Sequence, residues 1–258
     1  MMRFSALALL LVCAAPAVAS QQPQVSIIID DLGHRLDAGR RAIALPGPVA
    51  CAILPGAPRS RRLARYAHER GKEVLLHLPM QAMDDIDDME NRVPASPGSL
   101  SIDMSRQALA RAFADAMQSV PHAVGVNNHR GSLVTRHPGH MHWLMQTIRE
   151  QQLEFFVDSY TTHKSVALKL AAENGVAALK RDVFLDTDPD PAAIRRQFER
   201  LKTLARRNGA AVAIGHPYPA TLEALEQLLP SLGDEGIRLV SVRELLLHRT
   251  DVGPNTLN

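Results

Sequence analysis

Two aspartates, Asp30 and Asp31, end the apolar run Ile27-Ile28-Ile29 and are followed by Leu32 and Gly33. Adjacent carboxylates repel one another unless a cation or a shared proton lies between them, and burying them without either is costly. Further along the chain stand His77 in His77-Leu78-Pro79-Met80 and His129 in Asn127-Asn128-His129-Arg130-Gly131-Ser132. Asp158 opens Asp158-Ser159-Tyr160-Thr161, and His216 sits in Gly215-His216-Pro217. One Asp and two His make a sound ligand set for a zinc-type divalent cation with a position left for water. Asp31, His77 and His129 are therefore the candidate metal ligands, and Asp30, beside them, is a candidate general base on the bound water. His216, fixed by the following proline, is a candidate general acid for a leaving group. Asp158 is a candidate to orient a histidine or balance the site's charge, with capping of its own loop as the competing role. The cluster His137, His140 and His142 is read as a helix start rather than a ligand set.

These residues need a scaffold that brings strand ends together. Short β-branched or apolar runs at 25–29, 49–54, 73–77, 123–126, 154–157, 183–185, 210–214 and 238–242 read as strands. Helical patterns lie between them at 37–44, 60–70, 105–119, 139–151, 165–174, 191–208 and 221–232. Asp190-Pro191 marks a helix start, and Asn174-Gly175 and Asn208-Gly209 mark helix stops. Such alternation implies parallel strands joined by right-handed crossovers. The expectation is an α/β fold, a distorted (β/α) barrel of about seven parallel strands, with an open doubly wound sheet as the alternative. In a barrel the candidate residues would gather at the C-terminal rim.

The 22% charged and 46% apolar composition is that of a globular protein. A net charge of +2 and the lack of arginine tracts interleaved with aromatics argue against nucleic acid as a partner. The basic run Arg59-Ser60-Arg61-Arg62 reads as a solvated helix face. Residues 1–19 have the layout of a cleavable secretory signal: Arg3, an apolar stretch, then Ala17-Val18-Ala19. A single domain over 20–250 and a tail at 251–258 follow, with no membrane span in the mature chain and an envelope location such as the bacterial periplasm. Cys51 would then be alone, with no intrachain disulfide. Between 81 and 100, Asp84-Asp85-Ile86-Asp87-Asp88 and three turn-formers suggest a long covering loop without the pattern of a calcium site.

At these motifs the chain resembles the divergent polysaccharide deacetylase family, a remote branch of the metal-dependent polysaccharide deacetylases. The matching pieces are 27–33, 77–80, 127–132, 156–161 and 213–217, in order along nearly the whole mature chain. The resemblance implies a site that hydrolyses N-acetyl or O-acetyl groups on a carbohydrate polymer. In the better-known members the paired Asp supplies a base and then a metal ligand, corresponding to Asp30 and Asp31. Those enzymes next use two His four residues apart, whereas Gln81 stands four residues after His77, and His129 resembles the replacement. Their late general-acid His resembles His216. Two other readings stand beside this one. One is a glycan-binding envelope protein without turnover; the other is a glycoside hydrolase opposing Asp30 or Asp31 to Asp158 or Asp186.

Overall fold

The computed structural model describes residues 22–87 and 98–251. The expected signal at 1–19, residues 88–97 of the covering loop and the tail from 252 onward lie outside the described residues.

Strand β1 (Gln24–Leu32) leads through α1 (Leu36–Ile43) to β2 (Ala50–Ile53), and α2 (Ser60–Glu69) leads to β3 (Val74–Met80). After the short α3 (Asp84–Asp87) and then α4 (Arg106–Ser119) comes β4 (Ala123–Arg130), followed by α5 (Pro138–Glu150) and β5 (Phe155–Asp158). Helix α6 (Ala167–Glu173) precedes β6 (Ala177–Lys180) and β7 (Val183–Phe184). Helix α7 (Pro191–Asn208), β8 (Ala210–Gly215), α8 (Pro219–Leu228), β9 (Arg238–Leu239) and α9 (Val242–Asp251) complete the chain.

The sheet order is β6-β5-β4-β3-β2-β1-β8-β7, with β9 added beside β1, and every strand pair is parallel. The two edge strands, β6 and β7, are separated only by Arg181 and Asp182. The Arg181 amide donates to Asp158 O on β5 and the Asp182 amide to Val212 O on β8, both at 2.9 Å. The chain itself thus steps across the seam, and the curled parallel sheet is the expected distorted (β/α) barrel.

Two apolar layers follow from the alternation of side chains along each strand. Ile28, Ala52, Leu75, Phe155, Val157, Val212 and Ile214 fill the inside, whereas Ile27, Ile29, Leu76, Val126, Phe156 and Ala213 face the surrounding helices. Val242 and Leu245 of α9 join the inner cluster. Glu73 holds this helix by accepting the Val242 and Arg243 amides at 2.7 and 3.1 Å.

The strand expected over 238–242 ends at Leu239, and Val242 already begins α9, whose capping carboxylate comes from distant Glu73. Strand β6 is not expected from the sequence, since Ala177-Ala178 carries little strand preference and partnership with β5 decides the conformation.

Candidate metal centre

Strand parity decides which polar side chains enter the barrel mouth. Asp30 continues the inward series of Ile28. His77 follows Leu75, and Asn127 and His129 follow Gly125. His216 follows Ile214, and Asp186 follows Phe184. By the same count Asp31 would point out among the helices. It does not, because the β1–β2 register runs Ile29↔Cys51 and then Leu32↔Ile53, so one extra residue bulges from β1. Asp31 adopts φ 57° in that bulge, a left-handed conformation that aspartate tolerates better than most residues. Both carboxylates then reach the same imidazole: His77 Nε2 lies 3.6 Å from Asp30 Oδ2 and 3.1 Å from Asp31 Oδ1. Gly33 must follow, since at φ 135° a Cβ there would come within 2.9 Å of Ala57.

Asp31 Oδ1, His77 Nε2 and His129 Nδ1 form a small triangle. Its sides are 3.1 Å (Asp31 to His77), 2.9 Å (Asp31 to His129) and 3.2 Å (His77 to His129). Despite these distances, the buried Asp31 Oδ1 accepts no well-aligned hydrogen bond. Three lone-pair atoms this close together suit a cation between them better than they suit one another. A tetrahedral ion with nitrogen and oxygen ligands near 2.0–2.1 Å needs them about 3.3 Å apart. The set therefore fits a divalent metal. Among the described residues it is the one group of three or more His, Cys, Asp or Glu side chains within reach of one ion.

The surrounding bonds fix the triangle. Asn127 Oδ1 lies 2.9 Å from His77 Nδ1, and Asn127 Nδ2 donates to Asp30 Oδ1 at 2.7 Å. Asn127 thereby accepts the His77 Nδ1 proton and leaves Nε2 free to bind metal. Asn128 Oδ1 accepts the Ser159 amide and ties β4 to the end of β5. Gln81, where a second histidine of the usual pair would stand, accepts the Ile102 amide at 3.1 Å and serves the loop instead. His129 comes from β4, in register with Pro79 of β3.

Burial is the largest influence on Asp30 and raises its carboxyl above the ordinary range, although His77, His216 and Asn127 oppose it. At Asp31 burial also pushes upward, but His129 and His77 together outweigh it and hold the carboxyl well below the usual range. Burial depresses His77, yet the two aspartates more than compensate, so its pKa is raised. A metal must displace that proton. Zinc affinity is accordingly expected to rise with pH until it passes the elevated His77 pKa and to fall on the acid side, with proton uptake by the buffer. Calorimetric titration in two buffers of different ionisation heat reads this directly. Equal heats in both, with no pH dependence, would refute it.

His216 lies across the mouth, its Nε2 3.8 Å from Asp31 Oδ2. Its orienting carboxylate is Asp186, whose Oδ1 accepts from Nδ1 at 2.9 Å while Oδ2 accepts the His216 amide and the Thr221 hydroxyl. Burial lowers the His216 pKa, but Asp186 and then Asp30 and Asp31 raise it overall. The imidazole is flanked by the rings of Phe184 at 5.2 Å and Tyr218 at 5.5 Å.

Asp158 is placed elsewhere. The inward residues of β5 are Phe155 and Val157, so Asp158 turns to the helix side. There it accepts the Ser165 hydroxyl at 2.6 Å and the Tyr160 amide at 2.8 Å. This is the capping role, and the part of orienting a histidine belongs to Asp186. The sequence alone does not assign Asn127 and Asp186 these roles, although each shares its strand's inward parity with a candidate histidine or aromatic. His137 caps α5 by accepting the His140 amide, and His140 Nε2 meets Met104 O, so that cluster serves the helix start as expected. Asp84 and Asp85 pair with Arg130 at 3.2 and 2.7 Å. Among the described residues no helix is long and apolar enough to cross a membrane.

Known proteins share this arrangement of elements. An uncharacterized Escherichia coli K12 protein, YibQ, is 39% identical over 241 residues, covering 93% of this chain and 72% of that one. The crystal structure of an uncharacterized Agrobacterium tumefaciens protein, ATU2773, superposes with a TM-score of 0.81 at 22% identity, over 89% of this chain and 92% of that one. Bacillus subtilis peptidoglycan deacetylase PdaC gives a TM-score of 0.53 at 12% identity, over 91% and 96% of the respective chains. Residues 27–246, from the first isoleucine of β1 into α9, match the divergent polysaccharide deacetylase family, and the chain belongs to that family.

Proposed function

We propose that the protein is a metal-dependent deacetylase that hydrolyses acetyl groups on a carbohydrate polymer of the bacterial envelope, with zinc at Asp31, His77 and His129. The observation that carries this is the triangle of lone-pair atoms beside a second buried carboxylate and opposite an Asp-supported histidine. The fold shared with a peptidoglycan deacetylase and the family membership support the choice of an acetylated glycan. The signal-like residues 1–19 support the envelope location.

When bound, the ion polarises the acetyl carbonyl and lowers the pKa of its water. Asp30, buried and with a raised pKa, accepts the water's proton at the oxygen not engaged by Asn127. Asn127 keeps Asp30 and His77 in fixed orientation, so no reorganisation is needed as charge develops. His216, kept protonated by Asp186, donates from Nε2 to the departing amine or alkoxide. Half-exposed Tyr218, beside His216, supplies a ring face for a sugar.

Acetate release from acetylated chitooligosaccharides by zinc-loaded protein tests the proposal. Release that disappears on chelation and returns with zinc is expected; release unaffected by chelation would overturn it. Asp186→Ala should slow turnover on the order of 10–10²-fold. It should also move the alkaline limb of the pH–rate profile to lower pH, because His216 loses the carboxylate that raises its pKa and an acid works only while protonated. A profile of unchanged shape would refute the Asp186–His216 assignment.

A further inference from the structure

The outer surface beside the rim holds a second feature, built from the basic run of α2. A groove of about 480 Å³ lies between α1 and α2, walled by Arg40, Arg61, Arg62 and Arg65 with Tyr66 between them and Glu69 at one end. Residues 35–72 carry nine Arg and Lys against only Asp37 and Glu69, while the whole chain is only +2, so the remainder is net negative. Positive charge is therefore concentrated in this segment, and four of its arginines line the groove.

Solvated arginines on helices are common, and Arg136, Arg149, Arg181 and Arg195 also bond groups other than carboxylates; what sets this place apart is that four such arginines line one groove. Elsewhere Arg41, Arg106, Arg130, Arg206, Arg238 and Arg243 each meet a carboxylate. The four groove arginines have no carboxylate partner among the described residues. Arg61 donates only to Gln118 O, and Arg40 lies over the Tyr66 ring at 5.5 Å, with Arg70 on the same ring at 4.9 Å. Like charges gathered without counter-ions cost stability and create a strong local field. Guanidinium forks match carboxylate and phosphate oxygens in pairs.

Position gives the groove its meaning. Leu36, the first residue of α1, and Pro58, in the connection from β2 to α2, line the groove, and both lie on the side of the strand ends at the rim. The Arg59 amide bonds Gly33 O, two residues after Asp31. From Arg61 to Glu69 the groove descends about 12 Å along α2, the length of two or three sugar units. Among the described residues the exposed large hydrophobics are only Tyr218 and Leu247, and neither lines the groove. A basic groove with no inserting apolar face suits a polymer strand rather than a lipid surface.

We propose that this groove binds an anionic stretch of the substrate polymer, so that the substrate is an acidic glycan carrying carboxylate or phosphate groups next to its acetylated sugar. This rests on the deacetylase reading for the site but is tested by binding, independently of turnover. Fluorescently labelled polygalacturonate oligomers, neutral chitooligosaccharides and phosphatidylglycerol vesicles are titrated against wild type and the exposed double variant Arg62→Glu/Arg65→Glu. Wild type should bind polygalacturonate with an affinity that falls steeply with salt. The variant should bind about tenfold or more weakly, keep its melting temperature, and release acetate from neutral chitooligosaccharides at the wild-type rate. The milder Arg62→Gln/Arg65→Gln should lie between. Polygalacturonate binding equal in wild type and variants would overturn the proposal, and so would arginine-dependent binding to vesicles alone. Loss of acetate release from the neutral substrate in wild type would instead count against the deacetylase reading and leave the binding result standing.

Discussion

Asp31→Asn is expected to lose the ion on dialysis and to bring acetate release down to that of chelated wild type. Asn is chosen because it shares the tolerance of aspartate for the left-handed φ of 57° at this position. The bulge, and with it the direction of both side chains, should survive. What disappears is the negative charge that His129 and His77 face at 2.9 and 3.1 Å. A bound metal supplies several kcal/mol of charge stabilisation in such reactions, so at about 1.4 kcal/mol per decade the loss should reach about 10³-fold. Metal content and acetate assays on the same preparation read both effects. A variant that keeps ion and rate would remove Asp31 from the ligand set.

Asp30→Asn should behave differently. The ion stays, because none of the three triangle atoms belongs to Asp30, and its bond with Asn127 can be kept through the new amide oxygen. Turnover is expected to fall by ~10²–10⁴-fold, the contribution of a positioned general base. The pair of variants divides the labour between neighbouring carboxylates: one empties the site, the other leaves it filled and slow. Equal acetate release from Asp30→Asn and wild type would sink the assignment of Asp30 as the base. If Asp30→Asn also shed the metal, Asp30 would be a ligand and the triangle would be incomplete.

Much of this arrangement is legible in the sequence because strands and helices alternate with clear punctuation. The predicted helix over 191–208 coincides with α7, where Asp190 caps the first turn and Gly209 stops the last in a left-handed conformation. The histidines and aspartates were likewise readable as strand-end residues. Strands β1, β3 and β4 nevertheless run on through the motifs to Leu32, Met80 and Arg130, since long β3–β4 pairing carries His77 and His129 into the ladder. The bulge at Asp30-Asp31 was not legible. It depends on the register with β2, which no local pattern encodes, and without it parity would send Asp31 outward. Counting parity would have corrected Asp158, whose neighbour Val157 takes the inward place, and would have promoted Asn127. Asp186 needed the β7–β8 pairing to be seen as the partner of His216, 30 residues away in sequence.

The central claim is that one divalent ion sits among Asp31, His77 and His129, and anomalous diffraction from zinc-soaked crystals tests it most directly. The account predicts a single strong peak at the barrel mouth within about 2.0–2.2 Å of Asp31 Oδ1, His77 Nε2 and His129 Nδ1. A fully soaked crystal with no peak there, or with zinc held only at His137 and His140, would contradict it.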